Sequence, residues 1–294
     1  MRVVTLLPGA TEIIAALGGA GSLVGISHEC DYPAAISHLP RVTSTPIDPD
    51  APGAVIDAEV RRLHDAGRPV IAVAADMLAR LRPDLIVTQS LCEVCAVADG
   101  EVYRLAAVLQ PAPRLLALSG RTLTGIMGDI RAVAAALDLP GEADELIAGL
   151  ESRLRRLKPV GKRRPRVVCV EWLSPLYLAG HWVPELVAAA GGEDAGARPG
   201  AHSARCEWTE LSALNPDLIV AMLCGFDLAR ARRELLRLAP DAAAILRSVP
   251  VWILDGNAYT SRPGPRVVDG AERLHAAMLG RELPGLARWH PAGG

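Results

Sequence analysis

The chain has 294 residues, half of them apolar and 22% charged, with a formal net charge of −2; this excludes a disordered or fibrous protein and the broad basic footprint of a nucleic-acid binder. Single hydrophobic cores stop growing near ~250–300 residues, so two lobes are expected. No apolar run reaches the ~18 residues of a membrane span.

In chain order, Arg2-Val3-Val4 opens a short apolar strand that leads to Pro8-Gly9-Ala10-Thr11-Glu12 and a helix ending at Leu17-Gly18-Gly19. Glu12 is expected in the first turn, as a capping acid. The start lacks the charged segment, long apolar stretch and cleavage site of a secretory signal, so as written the chain is expected in the cytoplasm, and in the periplasm or outside the cell if trimmed. In the cytoplasm its six cysteines are reduced thiols, open to use as ligands, nucleophiles or packing.

"LVGIS" (23–27) reads as the next strand, followed by His28-Glu29-Cys30-Asp31-Tyr32-Pro33. "DLIVTQ" (84–89) leads to Cys92-Glu93-Val94-Cys95, the stretch from Tyr103 to Leu109 is helical, and Arg114 to Gly120 holds a further strand. Thr122 to Leu157 reads as helix, broken by Pro140-Gly141, with cations at its end that suit the helix dipole. The basic run from Lys158 to Pro165 reads as a solvated linker.

The same order of parts then repeats. Arg166-Val167-Val168 answers Arg2-Val3-Val4, Ala190-Gly191-Gly192 answers Leu17-Gly18-Gly19, and Pro216 to Val220 repeats the pentapeptide at Pro83 to Val87 residue for residue. "RVVCV" leads to Glu171-Trp172, "DLIVAM" to Cys224-Gly225-Phe226-Asp227, and "VWILDG" to Asn257 through Arg266. Near-continuous apolar strands alternating with helices, such as the one expected over Leu228 to Leu238, mean parallel sheets covered on both faces. The expected architecture is α/β: two doubly wound parallel-sheet lobes, 1–120 and 165–294, joined by a helical hinge and linker over 121–164, with a ligand cleft between them.

Ligands of open parallel sheets bind beyond the carboxyl ends of the strands. Of the ten aromatic residues in the chain, Tyr32, Trp172, Tyr177, Trp182, Trp208, Phe226 and Tyr259 fall in or beside the strand-end loops, which points to a large, flat, partly apolar ligand; the competing reading is that they close the tops of the sheets. Glycine spacing at 18–25 does not match a dinucleotide loop, and neither a Walker-type loop, a Ser-His-Asp order nor a paired-carboxylate motif is present. The reading leans away from an enzyme and towards binding.

These segments together resemble the helical-hinge class of ABC-transporter solute-binding proteins, those for cobalamin, haem and ferric siderophores. The likeness rests on "RVVTLLPGATEIIAALGG", "LVGISHECDYP", "LRPDLIVTQ" and "LNPDLIVAM" and covers essentially the whole chain; "SHECDYP", "CEVC", "CGFD" and "DGNAYTSRPGPRVVDG" are similar to a subgroup labelled cobalamin-binding. The resemblance implies a corrinoid or similar metal-chelate ligand held between the lobes, little closure on binding, and an ABC permease as partner, although members that serve transport carry an export signal or lipid anchor. On that reading Tyr32, Trp172, Trp182, Trp208, Phe226 and Tyr259 line the ligand's faces, and Arg262 and Arg266 clamp its acidic substituents.

The thiols leave an alternative open. Cys92-x-x-Cys95, with Cys30 and Cys224 after other strands and His28 nearby, could hold zinc or an iron–sulfur cluster, making a cytoplasmic metalloprotein or metalloenzyme. His28 could equally be an axial ligand to a bound cobalt or iron centre, with His181 the next candidate, or an ordinary hydrogen-bonded loop histidine. Cys169 reads as core and Cys206 as a surface-loop residue; His38, His64, His275 and His290 read as surface. Asp255 fits a turn cap.

Overall fold

The structure, a computed structural model, describes residues 1–90 and 99–290. These form two compact α/β units. The first holds Met1–Ala51, Ala58–Gly120 and Thr124–Ala148; the second holds Pro52–Asp57, Arg121–Leu123 and the chain from Gly149 onward.

The first unit runs β1 (Val3–Thr5), α1 (Pro8–Ala16), β2 (Leu23–Gly25), β3 (Thr43–Ser44), α2 (Gly53–Asp65, its first turn counted with the second unit), β4 (Ala72–Val73), α3 (Ala75–Leu81), β5 (Leu85–Gln89), α4 (Asp99–Val108), β6 (Arg114–Leu118), α5 (Leu123–Leu137) and the start of α6 (Pro140–Arg156). Its main sheet has the order β2-β1-β5-β6 and every pairing is parallel. Val3 pairs with Leu85, Val4 with Ile86 and Thr5 with Val87. β-Branched side chains suit such a strand, and burying each one fully contributes about 1.5–3 kcal/mol. Val3, Val4, Ile86 and Val87 are completely enclosed. The helix α1 starts at Pro8, earlier than its sequence suggests, because the proline ring sets the helical φ and lacks the amide that the first turn would leave unbonded. Glu12 therefore lies inside the helix, buried, and is not a first-turn cap. Asp138, in the left-handed region at φ 62°, closes α5, and Pro140 opens α6.

The second unit runs β7 (Arg166–Leu173), β8 (Leu176–Leu178), α7 (Val183–Ala189), β9 (Glu193–Asp194), β10 (Ala204–Arg205), α8 (Trp208–Ala213), β11 (Leu218–Ala221), α9 (Leu228–Leu235), α10 (Pro240–Arg247), β12 (Val251–Leu254), α11 (Gly256–Tyr259), α12 (Val267–Met278) and β13 (Leu286–Trp289). Its sheet order is β10-β8-β7-β11-β12-β13, with β9 alongside β7. The repeated pentapeptide falls on β5 and β11, each flanked on both sides within its own sheet. β7, β9, β11 and β12 are mutually parallel, whereas β8 runs antiparallel to β7 and β13 to β12, and β10 pairs antiparallel with β8. The short turn between β7 and β8 is too brief for a crossover, so the chain can only fold straight back.

The core on one face of this sheet joins Val168, Val170, Ile219, Ala221, Val251 and Ile253 with Leu211, Phe226, Leu235 and Trp289. Cys169, on the other face, is buried as its place in "RVVCV" requires. Cys206 is buried too, against the surface position its charged neighbours suggest. Its amide bonds the Leu176 carbonyl at 3.0 Å, so the segment continues the β8–β10 pairing, and strand alternation turns the thiol inward while Arg205 and Glu207 turn out. His275 also differs from a surface residue: its Nδ1 lies 2.8 Å from the Ala190 carbonyl, tying α12 to the end of α7. In the basic run, Lys162, Arg163 and Arg164 are exposed, and Arg163 grips Asp217 through two bonds of 2.9 and 2.7 Å. Among the described residues no helix is long and apolar enough to cross a membrane.

Candidate ligand-binding site

In the first unit, a buried polar layer lies at the carboxyl ends of β1 and β2. Thr5 and Thr11 share a hydroxyl–hydroxyl bond of 2.6 Å, and the Thr11 hydroxyl reaches the Cys30 thiol at 3.1 Å. Thr5, Thr11 and Cys30 are all buried, so these contacts replace water that cannot enter. Beside them, the Thr43 hydroxyl donates to the Ser27 hydroxyl at 3.1 Å and accepts the His28 amide at 2.9 Å. His28 Nδ1 lies 2.7 Å from the same Thr43 oxygen. Because the hydroxyl's single proton goes to Ser27, the pairing is satisfied when His28 carries its proton on Nδ1, which leaves a lone pair on Nε2. Burial pushes the His28 pKa below its usual value, with the Glu29 carboxylate opposing and the Arg41 guanidinium adding to the shift, so the ring is neutral at physiological pH. Arg41 also donates to the carbonyls of Ser27 and Cys30 and fixes the loop that ends in Tyr32. Tyr32 itself is 48% exposed.

In the second unit, the strand-end loops are drawn tightly together. The Cys224 amide bonds the Glu171 carbonyl at 3.0 Å, the Asn257 amide bonds the Phe226 carbonyl at 3.2 Å, and the Gly225 amide bonds the Ser261 hydroxyl at 3.3 Å. Gly256 permits this approach, since a Cβ at that position would lie 2.2 Å from the Leu223 carbonyl oxygen. Trp172 and Phe226 meet with ring centroids 5.2 Å apart and planes tilted by 55°, and the Arg230 guanidinium stacks on Phe226 at 3.7 Å. The Trp172 Nε1 is buried without a hydrogen-bond partner among the described residues.

The expected aromatic and arginine residues divide in two. Trp182 and Phe226 are buried, the former donating its indole N–H to the Thr260 carbonyl at 3.0 Å. Trp172 and Trp208 are half-buried against the core. Tyr259 packs under Arg273, whose guanidinium lies 3.7 Å from the ring and bonds the phenol oxygen at 3.0 Å, with Arg266 at 5.1 Å. Arg262 is buried and reaches the Asn257 side-chain oxygen at 2.7 Å. Asp255 caps α11 by accepting the Ala258 amide at 2.8 Å. Cys224 is exposed, Cys30 is buried, and Cys92 and Cys95 lie outside the described residues. Among the described residues no three His, Cys, Asp or Glu side chains gather as a metal site would require.

Of one further cluster the sequence marked only His181, not Arg121 or His202. The His181 and His202 rings meet edge to face at 5.3 Å, and Arg121 lies 3.0 Å from His202 Nε2. Burial, with His202 and Arg121 next to it, lowers the His181 pKa, and its buried Nε2 has no partner among the described residues. No local sequence signal joins positions 121, 181 and 202; a left-handed turn at His181 and the amide bond from His181 to the Ala201 carbonyl bring two of them together.

The two α/β units, each with a parallel sheet at its centre and polar or aromatic side chains at the strand ends, define a binding-protein fold. The chain belongs to the periplasmic binding protein family, whose model matches residues 3–237. Among solved structures it is similar to a periplasmic heme binding protein from Pseudomonas aeruginosa, with 22% identity, a TM-score of 0.75, and coverage of 100% of this chain and 99% of that one. It is also similar to the periplasmic vitamin B12 binding protein BtuF of Vibrio cholerae (19% identity, TM-score 0.63, 94% and 96% of the two chains). A third similar structure is an ABC-type Fe3+-hydroxamate transport system protein from Saccharomonospora viridis (17%, 0.66, 95% and 93%). At these identities the likeness is one of fold. No curated protein matches the chain.

Proposed function

We propose that this protein is the solute-binding component of an ABC transporter and that its ligand is a metal chelate of the corrinoid kind, handed on to a permease. The observation that carries the reading is His28: Thr43 holds its ring through Nδ1, and the ring is neutral with a lone pair on Nε2, one loop away from the exposed phenol of Tyr32. An imidazole oriented in this way by a hydrogen bond to its other nitrogen suits an axial position on cobalt or iron. Similar folds that bind heme or vitamin B12 support the ligand class. The Cys30 thiol is enclosed beside Thr11, which favours packing over ligation for that residue.

The test is a parallel titration with aquocobalamin, hemin and a ferric hydroxamate, read by tryptophan fluorescence and by the chelate's own absorption. One-to-one binding of the corrinoid is expected, with an absorption change that disappears in His28→Ala and an affinity loss of about tenfold or more, or about 1.4 kcal/mol. Preference for hemin or the hydroxamate would replace the corrinoid within the same function, and failure of all three at ~100 µM would overturn it.

A further inference from the structure

The second unit contains a cavity at the opposite end of its sheet from the loops described above. It opens at the amino ends of β7, β11 and β12 and runs under the last turn of α12, with a volume of about 360 Å³, inside the range of small-ligand sites. Its walls are mixed: Trp252, Leu218, Pro165, Pro250 and the Met278 side chain supply the apolar part, and Arg163, Asp217 and Arg288 the charged part. Trp252 and Leu218 are buried, so the floor is fixed by the sheet and does not depend on loop placement.

Two guanidinium groups stand at the cavity, and they differ. Arg163 is committed to Asp217 through both of its terminal nitrogens, and each charge of that pair cancels the other. Arg288 has no acidic partner for its guanidinium among the described residues. Its backbone amide is bonded to Glu282 at 2.9 Å, but this anchors the strand without engaging the side-chain charge. In the antiparallel β12–β13 pairing Arg288 stands directly opposite Trp252, so both side chains leave the sheet on one face. A planar cation therefore leaves the sheet on the same side as an indole, at the rim of an open pocket.

We infer that this cavity is a second small-molecule site, taking an aromatic carboxylate whose ring lies against Trp252 and Met278 and whose carboxylate pairs with Arg288. The guanidinium fork matches a carboxylate with two parallel hydrogen bonds.

Benzoate is the probe, with benzyl alcohol as its uncharged counterpart. The side-chain N–H resonance of Trp252, assigned by its loss in Trp252→Phe, is followed during each titration of the full chain. The expected result is a saturable shift with benzoate, an affinity on the order of tenfold weaker in Arg288→Gln with a smaller loss in Arg288→Lys, and a weak response to benzyl alcohol. Because Arg288 is exposed, both variants should melt with the parent. No saturable benzoate shift, or the same affinity in Arg288→Gln, would overturn the assignment. His28→Ala leaves benzoate binding intact, which separates this site from the chelate site.

Discussion

The Trp182 indole donates to the Thr260 backbone carbonyl at 3.0 Å, and both residues are buried. That bond pins the start of α7 to the turn after α11, so the aromatic residue acts as a strut inside the second unit.

Trp182→Phe keeps most of the ring and removes the donor. A buried carbonyl left without its partner costs about 1–3 kcal/mol, and a urea melt should show that loss as a lower midpoint with an unchanged slope. A stability equal to the parent would remove the strut from the account.

Asp194 should make stability depend on pH in an unusual direction. Burial pushes its carboxyl up to about 6, against two backbone amides, Gly196 and Ala197, that favour the anion. Its other oxygen is buried without a partner among the described residues. The folded state therefore holds the proton more tightly than the unfolded chain, with its carboxyl near ~3.9. The stabilisation is fully present below that value and is lost as pH rises through about 6. Asp194→Asn should flatten this slope and stabilise the protein above pH ~6 by about 1–3 kcal/mol. Melts at a series of pH values decide it, and a larger gain at low pH than at neutral pH would refute the sign.

Arg153, on α6, donates to both Asp269 and Glu272 on α12; its bonds to the two Glu272 oxygens measure 2.9 and 2.7 Å. The hydrogen bond from Arg153 holds the Glu272 carboxyl below its usual range, partly offset by burial. Arg153→Met leaves two half-buried carboxylates facing each other and should cost about 1–2 kcal/mol, less at high salt. The gap between parent and variant should narrow as pH falls through the lowered Glu272 value, where the pair is lost in the parent as well. Thermal melts with and without salt measure both effects.

At Gly256 the neighbouring carbonyl leaves no room for a side chain. Gly256→Ala must push the β11 and β12 loops apart, at a cost of about 1–3 kcal/mol. A variant that retains the parent's melting temperature would show that the loops do not need this approach.

Much of the fold was legible in the residue pattern. The doubled "PDLIV" marks β5 and β11 because a strand buried on both faces is apolar at consecutive positions. Pro140 separates α5 from α6 for an equally local reason. The antiparallel edges β8, β10 and β13 were not legible, since two to four residues carry no periodicity to read and gain their identity only from the strand they meet. Cys206 illustrates the cost: flanked by charges it looks superficial, and only its bond to Leu176 shows that it alternates into the core.

The candidate site divides along the same line. Composition and order alone placed rings, thiols and His28 after the strands, because the carboxyl ends of a parallel sheet are where loops gather whatever the details. Whether a ring is a strut or an open face depends on contacts made across 78 residues for Trp182 and Thr260, or 15 for His28 and Thr43. Those distances along the chain carry no local signal: burial and hydrogen-bond partners belong to the folded arrangement, and there Arg262 is enclosed, His28 is neutral and oriented, and Arg288 stands beside Trp252.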